Sequence, residues 1–157
     1  MNLFRLIYKS VAAADIVSNE TLRDLEVKSL ENNSAHGITG LLVLVGNRFV
    51  QVLEGSAADV SSLFISISRD KRHTQVELIS FEPAVSRLFD DWGMRLVDLY
   101  DLPGEKRAVM AAKYAAEDGE IVVPIEIHWV YAFLLDARQM CVSMPWQKPG
   151  SSLPSEV

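Results

Sequence analysis

Gln51 is the polar member of an otherwise apolar run, Phe49-Val50-Gln51-Val52-Leu53, in which strand alternation puts it on the same face as Phe49 and Leu53. Val50 and Val52 make the other face apolar too, so the strand is expected to lie centrally in a sheet with the amide buried. A buried amide has two donors and an acceptor, and leaving them unpaired costs about 1–3 kcal/mol, so the glutamine needs polar company. Backbone or water would supply that company as well as a ligand would. Tyr8 sits near the end of a short apolar and aromatic run. Its phenol can donate a hydrogen bond, as most buried tyrosines do, or give up an electron and a proton to a strong oxidant. Asn32-Asn33 brings two further amides, or closes a helix, because asparagine tolerates the left-handed conformation there. In Arg69-Asp70-Lys71-Arg72-His73 the cations could hold one phosphate group, or complement the carboxyl end of a preceding helix. Trp92 and Met94 are equally compatible with an ordinary sheet and core.

Other chemistries find less support. His36, His73 and His128 are too scattered for a metal site, and Cys141, the only cysteine, has no Cys or His at zinc-ligand spacing. One cysteine makes no intrachain disulfide, which fits a reducing cytoplasm. Gly37 and Gly40 lack the full spacing of a dinucleotide-binding loop. With 15 Lys+Arg against 21 Asp+Glu the net charge is -6, which argues against nucleic acid as the main partner. The first residues lack the pattern of a signal peptide. Residues 121–141 are apolar but broken by Glu126, His128, Asp136 and Arg138, so no membrane span is expected.

The elements that must position these residues are legible from pattern. Residues 3–9 suit a buried strand. Ser18 and Asn19 offer N-caps to a helix striped by Leu22, Leu25 and Leu30 that is expected to end at Asn32-Asn33. Two apolar runs flank Gly46-Asn47, a pair suited to a two-residue hairpin turn. Ser56 with Asp59 resembles a capping box, and Val60, Leu63, Phe64 and Ile67 follow on one helical face. Residues 74–81 form the next expected strand, closed by Pro83, and residues 93–97 a short last one. This order, βαββαβ plus a fifth strand, predicts a ferredoxin-like α+β sandwich with two helices on one face. Beyond it, Pro103 and Pro124 are expected to open a helix pair at their first turns. Trp129, Val130, Phe133, Leu134 and Met140 would then pack on the open face of the sheet or form a subunit interface. The chain at 157 residues thus divides into a domain at 1–100, a helical extension at 101–142 and a disordered tail at 143–157.

Taken together, Leu6-Ile7-Tyr8-Lys9-Ser10, the run from Asn32-Asn33 through Gly37-Ile38-Thr39-Gly40-Leu41-Leu42, Phe49-Val50-Gln51-Val52-Leu53-Glu54-Gly55, Asp70-Lys71-Arg72-His73 and Trp92-Gly93-Met94 closely resemble the BLUF family of flavin-based blue-light sensors. The resemblance covers about residues 1 to 100 and implies a short, stand-alone photoreceptor with no enzyme activity. It implies that a flavin, FAD or alternatively FMN, lies non-covalently between the two helices. Asn33 would bond its polar edge with Asn32 nearby, Asp70 would lie toward the ribityl chain, and Arg72 and His73 toward the polar tail. Members of the family often carry a basic residue just before the asparagine pair, where this sequence has Glu31. Gln51 would sit between Tyr8 and the ring. The excited flavin would take an electron and then a proton from Tyr8 by way of Gln51. After recombination Gln51 would be left rotated or tautomeric, bonding the flavin more strongly and shifting absorption to the red. Trp92 and Met94 would carry that change toward the surface.

Residues 101–157 show no nucleotide-binding or cyclase-like motif, so output by contact is expected, to a downstream signalling protein or a second copy in a homo-oligomer. The main rival is a ferredoxin-like interaction module without chromophore. An acylphosphatase-type enzyme lacks its phosphate-cradling loop, and a redox flavoenzyme lacks a nicotinamide fingerprint.

Overall fold

The computed structural model describes residues 2–16, 18–89 and 94–140. Trp92 and the expected tail lie outside them. Strand β1 (Leu3–Ala12) leads to helix α1 (Asn19–Ala35), the hairpin β2 (Thr39–Val45) and β3 (Arg48–Ser56), helix α2 (Ala57–Ser68), β4 (His73–Pro83) and β5 (Arg95–Asp98). The sheet order is β4-β1-β3-β2-β5, with β5 parallel to β2 and the other neighbours antiparallel. This is the expected ferredoxin-like α+β arrangement, with the fifth strand added beside the hairpin.

The local signals act as their chemistry dictates. Ser18 caps α1 by accepting the Thr21 N–H at 3.2 Å, and Ser56 caps α2 by accepting the Asp59 N–H at 3.1 Å while donating to the Asp59 carboxylate. Gly46 takes the positive φ (+64°) that the turn between β2 and β3 requires. Helix α1 runs past its expected end to Ala35, so Asn33 is not a left-handed cap. The backbone carbonyl of Asn33 accepts from His36 and Ile38, while the side chain is left for other work. Strand β4 begins at His73, one residue before the expected start, because His73 already pairs with Ala12 of β1.

Helices α3 (Gly104–Tyr114) and α4 (Ile127–Gln139) form the expected pair. Pro103 precedes α3 directly, but Pro124 does not open α4, which starts after a Glu126 cap whose carboxylate accepts the His128 N–H. Val130, Phe133, Leu134 and Ala137 of α4 are fully buried in one continuous core with the sheet, and Tyr114 packs edge-on to Phe133 at 5.0 Å. This favours packing on the sheet over a subunit interface for those positions, while Trp129 remains exposed. Arg5 lies under the Tyr131 ring of α4, three residues from Tyr8 and so on the opposite face of β1. Helices α3 and α4 therefore cover the face turned away from Tyr8. On that same face the buried Glu54 carboxylate accepts from Arg5 Nε and from the N–H groups of Leu88 and Phe89, which ties down the crossing between β4 and β5.

Candidate functional site: a cavity between two helices

The register of the sheet aligns Tyr8 with Gln51 and Gln51 with Leu42, so three adjacent strands present these side chains in one row. Above the row, α1 and α2 enclose a cavity of about 330 Å³. Its walls include Leu25, Leu42, Phe49, Leu63 and Ile67, and its polar groups include Ser29, Asn32, Asn33, Asp70 and Arg72. All seven residues expected to bind a cofactor line it: Tyr8, Asn32, Asn33, Gln51, Asp70, Arg72 and His73.

On the floor, Tyr8 and Gln51 are both almost fully buried, and the Tyr8 hydroxyl donates to Gln51 Oε1 in a very short bond. Burial, with the nearby Asp70 charge adding to it, pushes the phenol's pKa far up, so Tyr8 holds its proton at any physiological pH. The Gln51 amide points its other end at Met94, donating from Nε2 to Sδ at 3.4 Å. Met94 reaches this position over Gly40. A Cβ on Gly40 would lie 2.0 Å from the Val52 carbonyl oxygen and 3.1 Å from Met94 Cε, so only glycine fits.

The basic segment divides its roles. Asp70 grips the Arg72 guanidinium through Nε at 3.0 Å and Nη2 at 2.5 Å, and that hydrogen bonding holds the Asp70 carboxyl below the usual carboxylate range. His73 donates from Nε2 to the Ile67 carbonyl at 2.6 Å, and its Nδ1 is hydrogen-bonded with the Ser10 hydroxyl at 2.7 Å. With both nitrogens engaged by the protein, His73 forms part of the wall between Tyr8 and Phe49. Lys28 and Ser29 also line the cavity and were not singled out from the sequence. The available signal was helical spacing, since Leu25, Lys28 or Ser29, and Asn32 recur along one face of α1. Where this chain has Glu31 before the asparagine pair, Lys28 brings a cation to the cavity lining one turn earlier on the same helix.

The residues fit a flavin. A flat ring system with one polar edge matches apolar walls closed at one side by amides. Asn33 is 2% exposed, and among the described residues nothing hydrogen-bonds its side-chain amide. Lining the cavity, that amide is placed to bond a ligand held there.

The family model described as "BLUF: Sensors of blue-light using FAD" matches residues 3–95. The chain belongs to the BLUF family. As a BLUF domain it is a flavin-binding blue-light sensor. Among curated relatives it is 32% identical over 94 residues to photoactivated adenylate cyclase subunit alpha of Euglena gracilis, covering 59% of this chain and 9% of that subunit. It is 33% identical over 100 residues to the blue light- and temperature-regulated antirepressor BluF of Escherichia coli K12, covering 62% of this chain and 24% of that protein. The chain thus spans under a quarter of the length of these relatives. Among solved structures, the dark state of BlrB, a BLUF protein, superposes with a TM-score of 0.58 at 33% identity, over 69% of this chain and 90% of that one. The BlsA ground state superposes with a TM-score of 0.74 over 99% of this chain and 96% of its own, and at 21% identity supports the fold alone. Among the described residues no helix is long and apolar enough to cross a membrane.

Proposed function

We infer that the light response of this BLUF domain runs through the hydrogen-bonded series Tyr8, Gln51, Met94, and that this series is the observation carrying the mechanism. Flavin bound in the cavity supplies the colour and, when excited, a strong one-electron oxidant. The protein supplies the rest. Tyr8 keeps its proton until it is oxidised, and Gln51 Oε1 is already in place to receive it. Gln51 then exchanges donor and acceptor ends, by rotation or tautomerisation, because a primary amide carries both in one group. The Gln51 NH₂ faces Met94, and the exchange would withdraw that donor from the sulfur and free it to bond the flavin.

FAD is the proposed resident flavin, in keeping with the family description, and FMN presents the same ring to the same residues. Asn33 with Asn32 would hold the polar edge of the ring, while Asp70, Arg72 and Lys28 would lie along the sugar and phosphate tail. Output by contact fits helices α3 and α4, whose buried residues pack on the sheet and leave Trp129 exposed. The partner would be a downstream signalling protein, as the word antirepressor implies for BluF, or a second copy of this chain. The test is an absorption spectrum of the purified protein before blue illumination, after it, and after dark recovery, with the released flavin identified by mass. A yellow protein with a reversible red shift is expected. A colourless protein that takes up neither FAD nor FMN, or one whose flavin bleaches without shifting, would overturn this function.

A further inference from the structure

Helix α1 buries four residues, Leu22, Glu26, Leu30 and Asn33, which form one stripe along its inner face. Two of them are polar, and they point to different structures. Asn33 lines the flavin cavity. Glu26, 1% exposed and absent from the cavity lining, accepts the backbone N–H of Leu96 on β5 at 2.7 Å, and Arg95 Nε lies 3.6 Å from the same carboxylate oxygen. Strand β5 has only four residues and sits at the edge of the sheet, with β2 on one side. An edge strand has backbone N–H groups with no strand to receive them, and a buried one needs another acceptor. Glu26 supplies it. Two residues before Leu96 is Met94, whose sulfur meets Gln51.

We propose that Glu26 is a positioning residue for the photoswitch: from the helix that presents Asn33 to the flavin, it fixes β5 so that Met94 stays against Gln51 in the dark. One rigid helix then sets both the flavin's polar edge and the group that Gln51 abandons on illumination. Once Gln51 withdraws its donor, the Leu96 to Glu26 bond is what holds Met94 in the dark position and favours return to it. The proposal rests on the Gln51 switch described above.

The experiment compares Glu26→Leu and Glu26→Gln with the unaltered chain for flavin affinity, red shift, lifetime of the lit state and melting temperature. Leu134→Ala, which opens the core on the other side of the sheet, serves as a control of similar lowered stability. Glu26→Leu removes the acceptor and is expected to lengthen the lit state severalfold, up to about tenfold, with flavin affinity changed by less than about twofold. Glu26→Gln keeps an acceptor oxygen without the charge and is expected to restore most of the normal lifetime. Should Glu26→Leu fail to fold, Glu26→Gln decides by itself, with a lengthening of about twofold expected against none in Leu134→Ala. An unchanged lifetime in the folded Glu26 variants, or an equal change in Leu134→Ala, would overturn the proposal. Absence of any red shift in the unaltered protein would instead overturn the function on which it rests.

Discussion

The two faces of the sheet are built from the same strands and do opposite things. On one face Ile7, Val52 and Leu41 align across β1, β3 and β2, and the face is closed by Val130, Phe133 and Leu134 of α4 into a core without a polar ligand site. On the other, the adjacent row Tyr8, Gln51, Leu42 is left under a cavity, and its polar groups are either tied to each other or, like Asn33, left open toward the space between the helices. A shift of one residue along the strands separates the two rows. The lesson is that sensing needs a volume shaped for a ligand and lined by a few groups whose hydrogen bonds can be rearranged, with a rigid opposite face to support it.

The sharpest way to break this contrast is to make the cavity face chemically like the core face. Gln51→Leu is expected to retain flavin and lose the red shift entirely, since it removes the exchangeable amide while keeping the volume. Tyr8→Phe is expected to lose the photocycle as well, by removing the only proton the amide receives. Both are read from light-minus-dark absorption, and a normal red shift in Gln51→Leu would refute the switch. Next in size, Leu134→Ala on the other face is expected to cost about 2–5 kcal/mol of stability in denaturant titration while the red shift persists. Asn33→Ala should weaken flavin binding by about tenfold or more, measured by fluorescence titration, if the amide that lines the cavity bonds the flavin as proposed. The smallest expected effect concerns pH. Burial raises the Asp98 carboxyl on β5 to about 6, above its unfolded value. The folded state therefore binds the proton more tightly, so this group favours folding at low pH and that contribution is lost as pH rises from about 4 through about 6. Asp98→Asn should remove most of that pH dependence, with melting temperature across this range as the measurement.

Much of this architecture was legible in the sequence because local chemistry dictated it. Ser18 and Ser56 capped the helices they precede, Gly46-Asn47 made the hairpin, and the apolar residues around Gln51 marked a central strand. The end of α1 was misjudged because an asparagine pair offers the same signal for a cap and for a ligand. Tertiary packing decided between them, carrying the helix to Ala35. Pro124 misled for a similar reason: a proline permits a helix start but does not require one, and Glu126 supplied the cap. Lys28 and Ser29 were visible only once the face of α1 turned toward Gln51 was known. Glu26 carried no signal at all, since a glutamate between Leu25 and Val27 reads as solvent-facing until β5 is placed against it.

The bond between Tyr8 and Gln51 joins residues 43 positions apart. Closing that loop means ordering α1 and β2 between them, so the floor of the cavity belongs to the slow, non-local part of folding. A chain that has collapsed with the wrong strand pairing has nowhere to hold the chromophore and stays colourless. Uptake of flavin during refolding, followed by the change in its fluorescence on binding, therefore reports completion of the β1 to β3 pairing. By mass action, flavin present at that moment also draws the chain toward its native state, making the pigment a folding ligand as well as an antenna.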